Sequence, residues 1–226
     1  MKKVFLSFVA ALLCGIVSFA QTPISTAEEF MNIQSNGNYI LANDINLGDL
    51  GERTAAIISS FSGTFDGDRY TISYQASFSG TSYSSGFGLF GSVSGTIQKL
   101  NVNASVTLSG NGSAMDVALL CGKLTGTITF CNVNGNVNST VNPGLGGSDA
   151  GLIAGESSGT ISYCTGTGNV VGVGYVGGLV GQMTGSGKVK GSSFTGNVTS
   201  VSPKISGGSG FADGLGAYGG GICGNA

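Results

Sequence analysis

The side chains that most often carry out catalysis or bind metals are sparse in this sequence. Its 226 residues contain no histidine, which excludes a Ser-His-Asp triad, a Cys-His pair and any histidine zinc site. We interpret the charged stretch Asp66-Gly67-Asp68-Arg69 as a glycine turn with solvated charges, because a calcium loop needs more oxygen ligands at fixed offsets. A polysaccharide-cleaving site would need carboxylates clustered with a basic residue, and the only arginines are Arg53 and Arg69. The sequence therefore predicts no catalytic residue, no metal site and no cofactor.

Three residues in one register indicate a different kind of site. Lys99, Phe130 and Tyr163 each lie two residues after a repeated isoleucine. Strand alternation would bury all three with that isoleucine, yet a lysine is rarely buried without a partner. We therefore expect this position to face outward at a corner, with Phe130 and Tyr163 as a small exposed aromatic ladder. Stacking of this kind can merely stabilise the strands, or it can form a binding strip for a glycan or a protein, which makes these two residues the candidate ligand-binding residues.

The composition narrows the class of protein. Charged residues make up 9% of the chain, against roughly 25% in ordinary soluble domains. Disorder is a poor explanation, because hydrophobic residues reach 41% and the net charge is only -2. The 42 glycines and 3 prolines favour many tight turns between short strands. The weakly acidic balance offers no basic surface for nucleic acid.

The N-terminal segment, residues 1–20, has the features of a signal peptide. Lys2 and Lys3 precede a mostly apolar stretch, and Ser18-Phe19-Ala20 forms a small-x-small cleavage site. The apolar stretch is shorter than the roughly 20 residues of a membrane-spanning helix, and no second one follows. We therefore expect an exported protein, secreted or on a bacterial cell surface, without a membrane span.

An internal repeat organises the rest of the chain. Its anchor glycines, each preceded by an apolar segment, are Gly91, Gly122, Gly155 and Gly181, with spacings of 31, 33 and 26 residues. A second glycine, a Thr-Ile pair and a small residue with an Asn-Val pair follow in most copies. The longest insertions, at 138–149 and 200–218, both come after the Asn-Val pair. Insertions at one point of a repeat should emerge on one side of a stack.

These units predict an all-β fold, because no helical period persists over ten residues. We expect a parallel, right-handed β-solenoid over residues 38–226, with about three strands in each coil and coils about 4.8 Å apart. The capping box in Ser25–Phe30 predicts a short helix in a cap segment, residues 21–37. Gly220–Gly224 begins a further unit. We expect further repeats after Ala226, or a partner that closes the last coil.

Four cysteines follow the predicted signal peptide: Cys121, Cys131, Cys164 and Cys223. An even number in an exported protein permits two disulfides. Cys131 and Cys164 occupy the register of Leu100 on adjacent units, so both should face the interior. Adjacent coils are within disulfide reach, but we expect buried free thiols.

The ordered series of motifs resembles the GLUG-motif repeats of bacterial surface and secreted proteins. Gly178-Leu179-Val180-Gly181 is that motif, and Phe87–Gly91 is a close relative, whereas Leu119–Gly122 and Leu152–Gly155 depart from it. Phe61–Gly67 is similar to the lead-in found upstream of such repeats. The resemblance covers about residues 38–226 and implies a parallel β-solenoid in an adhesin-like or passenger protein.

Composition, export and resemblance together favour a non-enzymatic scaffold, adhesin-like, that binds glycans or host or matrix proteins outside the cell. Two alternatives stay open. One is a β-helix enzyme that acts on extracellular polysaccharide, and a groove that clustered carboxylates with Arg53 or Arg69 would favour it. The other is a structural spacer within a longer surface protein.

Overall fold

The structure, a computed structural model, describes residues 21–80, 86–110, 115–140, 148–201 and 218–225. Most of these residues lie in short strands that pair in parallel and form four sheets. The predicted fold class, a parallel β-solenoid with a short N-terminal helix, is confirmed.

The strands follow one another around the solenoid in a fixed order. The N-terminal elements are β1 (Thr22–Ile24), α1 (Ala27–Met31), β2 (Asn38–Leu41), β3 (Ile45–Arg53) and β4 (Ile58–Phe61). The next eight strands are β5 (Thr64–Asp66), β6 (Thr71–Gly80), β7 (Gly86–Phe87), β8 (Phe90–Val93), β9 (Thr96–Gln98), β10 (Asn101–Gly110), β11 (Asp116–Ala118) and β12 (Cys121–Leu124). The following eight are β13 (Thr127–Thr129), β14 (Asn132–Ser139), β15 (Asp149–Gly151), β16 (Ala154–Ser157), β17 (Thr160–Ser162), β18 (Thr165–Gly172), β19 (Tyr175–Gly177) and β20 (Val180–Met183). The last four are β21 (Lys188–Lys190), β22 (Ser193–Ser200), β23 (Tyr218–Gly220) and β24 (Cys223–Asn225).

Equivalent strands of successive coils make up each sheet. Sheet A has the order β1-β2-β5-β9-β13-β17-β21, sheet B β3-β6-β10-β14-β18-β22, sheet C β4-β8-β12-β16-β20-β24 and sheet D β7-β11-β15-β19-β23. From β5 onward each coil passes through sheets A, B, D and C in turn. The expectation of about three strands per coil is therefore wrong. The apolar segment before each anchor glycine is bent, for example at Leu119–Leu120, and belongs to two sheets instead of one strand.

The repeat register predicted from the sequence is confirmed by the strand pairing. Ile128 pairs with Ile97 and Ile161 in sheet A. The residues that flank the anchor glycines pair in the same way in sheet C, so these glycines stack in line. A Cβ on Gly122 would lie 2.1 Å from the Cα of Gly86 in sheet D. Only glycine fits at the anchor, because sheets C and D approach each other backbone to backbone.

The N-terminal end is closed by the predicted helix. Thr26 accepts a hydrogen bond from the Glu29 N–H (3.1 Å), and the Glu29 carboxylate accepts the Thr26 N–H (3.1 Å), which completes the capping box. Phe30 is fully buried, and its ring packs edge-on against Phe65 (centroids 5.8 Å apart) and Phe90 (6.1 Å apart). The helix therefore covers the core at this end of the stack. The same segment contributes β1, which pairs with β2.

The two predicted insertions connect the same pair of sheets. Residues 141–147 and 202–217, which make up most of them, lie outside the described residues. The strand before each insertion belongs to sheet B and the strand after it to sheet D. Among the described residues, no helix has the length and hydropathy that a membrane span requires.

Candidate functional site

The corner between sheets A and B holds the candidate ligand-binding residues. Lys99, Phe130 and Tyr163 have φ angles of 51°, 54° and 55°, and Gly191 occupies the same corner at 54°. This left-handed conformation is uncommon for residues other than glycine. It reverses the strand alternation at the corner, so the side chain points outward, as the lysine in this register predicted.

Phe130 and Tyr163 form the expected exposed aromatic ladder. Their rings are 52% and 61% exposed, lie 5.1 Å apart between centroids and are nearly parallel, at 10°. The next residue of the ladder is Gly191, where an added Cβ would lie 2.8 Å from the Tyr163 ring. Because Gly191 has no side chain, no side chain of the ladder covers the outer part of the Tyr163 ring face that is turned toward Gly191.

Lys99 completes the ladder but is held by an ion pair. Its ammonium lies 3.1 Å from the carboxylate of Asp66, which also accepts hydrogen bonds from Gln98 Nε2 (2.8 Å) and the Asp68 N–H (2.8 Å). Asp66 is buried, so the expectation of solvated charges in this turn is wrong for Asp66, although Asp68 and Arg69 are exposed. Burial by itself raises the pKa of Asp66, but these hydrogen bonds outweigh it and lower the pKa below its ordinary value.

The outer face of sheet B, next to this corner, carries four rows of uncharged side chains. All members except Val171 have an amide or a hydroxyl group, and the strand register aligns each row across β6, β10, β14, β18 and β22. Row 1 is Thr71, Asn101, Asn132, Thr165 and Ser193; row 2 is Ser73, Asn103, Asn134, Thr167 and Thr195; row 3 is Gln75, Ser105, Asn136, Asn169 and Asn197; row 4 is Ser77, Thr107, Asn138, Val171 and Thr199.

Hydrogen bonds along rows 1 and 3 hold their side chains in place. In row 1, Asn132 Nδ2 donates to Asn101 Oδ1 at 2.8 Å. In row 3, Asn169 donates to Asn136, and Asn197 to Asn169, both at 2.9 Å. The side chains of row 2 form no hydrogen bond within the described part of the chain. Row 2 is thus a series of available donors and acceptors beside a row in which the three asparagines are held by hydrogen bonds.

A groove of about 520 Å³ runs between rows 2 and 3, along the solenoid axis. Its floor contains the small residues Ala104, Gly135 and Gly168, and Asn46 and Asp49 lie at its N-terminal end. The φ angles of Gly135 and Gly168 are 138° and 142°, a conformation that glycine adopts readily and other residues avoid. A Cβ on Gly135 would lie 1.7 Å from the Ala104 carbonyl oxygen. In β14 and β18 the groove therefore depends on glycine at this point of the repeat.

A second cluster, which sequence reasoning missed, lies where sheets C and D meet. Asp116, Asp149 and Glu156 each place a carboxylate oxygen within 4.8 Å of the others. The Lys123 ammonium lies 3.0 Å from Asp116 and 3.5 Å from Glu156. Burial raises the pKa of Asp116 to about 6, although Lys123 opposes this increase. Burial, together with the negative charges of Asp116 and Glu156, raises the pKa of Asp149 to about 8.

A signal for this cluster is present in the sequence, in the positions of its residues relative to the anchor glycines. Asp116 and Asp149 each lie six residues before an anchor glycine, and Lys123 and Glu156 each follow one directly. The three carboxylates could hold a cation, but the Lys123 ammonium already lies against two of them. Asp116 and Asp149 are 2% and 7% exposed, so a polysaccharide does not reach the two groups whose pKa is raised.

Arg53 and Arg69, the arginines considered for a carboxylate cluster, are not part of it. Arg53 is the last residue of β3, and Arg69 lies at an exposed turn. Neither forms an ion pair among the residues that the structure describes.

The interior cysteines are free thiols, as expected. Cys131 and Cys164 are buried on adjacent coils, and the Cys131 N–H donates to the Cys164 sulfur at 3.5 Å. Burial raises the pKa of Cys131 well above its ordinary value. Cys121 is also buried and free, and Cys223 is half-buried and free.

Comparison with known proteins identifies no relative of this chain. No family model, no curated protein and no solved structure matches the chain. The resemblance to GLUG-motif repeats stays a prediction, and the functional argument depends on the geometry of the corner and of sheet B.

Proposed function

We propose that this protein is a non-enzymatic extracellular scaffold that binds a glycan on the outer face of sheet B. One observation carries the proposal: an exposed, stacked aromatic pair lies directly beside rows of amide and hydroxyl groups. Sugar rings present apolar C–H faces, which pack on aromatic rings, and hydroxyl groups, which pair with amides and hydroxyls. Both kinds of contact are available on this face.

The aromatic pair and the polar rows are close enough to act on one sugar. Asn132 follows Phe130 by two residues, and Thr165 follows Tyr163 by two. At about 3.3 Å per strand residue, row 1 begins about 7 Å from the corner. A sugar ring packed on the exposed part of Tyr163 would therefore have its hydroxyl groups within reach of row 1.

The arrangement also reduces the cost of binding. Hydrogen bonds fix Asn132 against Asn101 and Thr165 against Asn132, at 2.8 and 2.7 Å. Side chains that are already ordered lose less entropy when a ligand binds. A rigid array of this kind supports a binding role more than a purely structural one, because ladder contacts alone do not need exposed aromatic rings.

The predicted signal peptide and the resemblance to surface repeats support a location outside the cell. They favour a secreted or surface-attached adhesin-like protein. A polysaccharide-active enzyme is less well supported, because Asp116 and Asp149, the carboxyl groups with raised pKa, are buried between sheets C and D.

Binding of the exported chain to a panel of polysaccharides and matrix proteins tests the proposal. We expect at least one polysaccharide to bind, and the double variant Phe130→Ala/Tyr163→Ala to bind it at least tenfold more weakly, which corresponds to about 1.4 kcal/mol. Met31→Ala is the matched control, because it removes an exposed apolar side chain, 37% accessible, from the helix α1. The proposal would be contradicted if the double variant bound every polysaccharide ligand as tightly as the wild type does, or if no glycan ligand were found.

A further inference from the structure

We infer that the groove between rows 2 and 3 is a separate binding site for an uncharged polysaccharide, whose extended chain lies along the solenoid axis. This inference rests on the proposed function and names the class of glycan. Gly135, in the floor, lies five residues after Phe130. That separation is about 16 Å along a strand, so a single sugar ring cannot touch both the aromatic pair and the groove.

The charge of the groove selects the class of ligand. Of the described residues that line it, only Asp49, at its N-terminal end, is charged. The strongest hydrogen bonds to a carboxylate or sulfate group come from the charged donors of Arg and Lys. The nearby lysine at the corner, Lys99, is paired with Asp66. A uronate or sulfated glycan would have no cationic partner among the described residues of the groove and would be repelled by the carboxylate of Asp49. A neutral glycan has no charged group that needs such a partner.

The periodicity of the groove indicates how the ligand lies. Each coil adds one polar side chain to row 2 and one to row 3 at intervals of about 4.8 Å. This interval is similar to the length of one sugar ring in an extended chain. In row 2, Ser73, Asn103, Asn134 and Thr167 form no hydrogen bonds in the described structure. In row 3, the hydrogen-bonded amides of Asn136 and Asn169 share one orientation. Successive sugars can therefore make equivalent contacts on successive coils.

This repetition predicts that affinity grows with chain length. Contacts by linked sugars add as intramolecular events, so affinity should increase up to about three sugars and then level off, because the row 2 residues that line the groove come from three coils: Ser73, Asn103 and Asn134. An isolated monosaccharide should bind too weakly to detect.

Calorimetric titration of the exported chain tests the inference. The probes are linear neutral oligosaccharides of two to eight sugars and uronate and sulfated oligosaccharides of matched length. The variants are Asn134→Ala, Asn134→Lys and, as the matched control, Asn138→Ala. Asn138 lies on the same strand and is also exposed, but it does not line the groove.

We expect the neutral oligosaccharides to bind at least tenfold more tightly than the anionic ones. Asn134→Ala should weaken neutral binding about fivefold or more, and Asn138→Ala should leave it unchanged. Asn134→Lys should gain anionic binding that declines with added salt, because an exposed charge is screened. The Phe130→Ala/Tyr163→Ala variant should keep the dependence on Asn134.

Two results overturn the inference while leaving glycan binding intact: anionic glycans that bind as tightly as neutral ones, or an Asn134→Ala variant that binds like Asn138→Ala. If no polysaccharide of either kind binds, the proposed function itself fails, and this inference with it.

Discussion

The buried carboxyl cluster between sheets C and D should make the protein progressively less stable as the pH rises from about 4 to about 8. Asp116 and Asp149 lie side by side and are almost completely buried. Burial raises the pKa of Asp149 to about 8 and that of Asp116 to about 6. In the unfolded chain both carboxyl groups have a pKa of about 3.9. The folded protein therefore binds these protons more tightly than the unfolded chain does.

The sign of the effect follows from this difference. A carboxyl group with a raised pKa in the folded state contributes its stability in full below about pH 4 and loses it as the pH rises through the folded value. For this pair the loss extends from about pH 4 to about pH 8. Each unit of pKa corresponds to about 1.4 kcal/mol. The two raised values lie roughly six units in total above 3.9, so the free energy of unfolding should decrease by on the order of 8 kcal/mol over this range. The pKa of Lys123 is raised, because its attraction to Asp116 and Glu156 outweighs burial, so its charge stays constant in this range.

Thermal unfolding at pH 5, 7 and 9 measures this dependence. Between pH 5 and pH 9 the two carboxyl groups account for about 5–6 kcal/mol of this decrease, which corresponds to a fall in Tm of roughly 10–20 °C for a chain of this size. In Asp149→Asn the amide imitates the protonated carboxyl group, so the decrease between pH 5 and pH 9 should become much smaller. Asp68→Asn is the matched control, because Asp68 is exposed, and it should keep the wild-type dependence. A wild-type Tm that is equal at pH 5 and pH 9, or an Asp149→Asn variant with the wild-type slope, would refute this account of the cluster.

Two further predictions concern the packing of the coils. Gly122→Ala should lower the free energy of unfolding by about 1–3 kcal/mol or more, because its Cβ would lie 2.1 Å from the backbone of sheet D at Gly86. Gly221→Ala is the control and should leave the thermal melt unchanged, because its Cβ meets nothing within 4 Å. Equal melts for the two variants would contradict the close approach of the sheets. Titration of unreduced protein that lacks residues 1–20 with a thiol reagent should find Cys131 and Cys164 unreactive in the native state. In denaturant it should find four thiols, matching the four free cysteines. Two thiols in denaturant would mean that a disulfide had formed.

The repeat in the sequence was sufficient to predict the solenoid, its register and its outward corner. In a stack of coils, residues at equal offsets lie above one another, so the alignment of anchor glycines and isoleucines already states which residues pair. The exposed stack of Phe130 and Tyr163 followed from the lysine in their register, because a lysine is seldom buried. The ion pair that Lys99 forms with the buried Asp66 was not part of that prediction. The capping box predicted the helix α1 for an equally local reason, since its hydrogen bonds join residues three apart.

The tertiary structure alone decided how each coil bends. The apolar segment before each anchor glycine is one run in the sequence, yet it bends at Leu119–Leu120 and belongs to two sheets. That bend brings sheet D onto sheet C and buries Asp116 beside Asp149, 33 residues away in the chain. The groove in sheet B likewise depends on a backbone angle, the φ of 138° at Gly135. A sequence pattern predicts which residues share a row. The direction of the backbone between rows is set by packing across the coil, and both the groove and the buried cluster result from that direction.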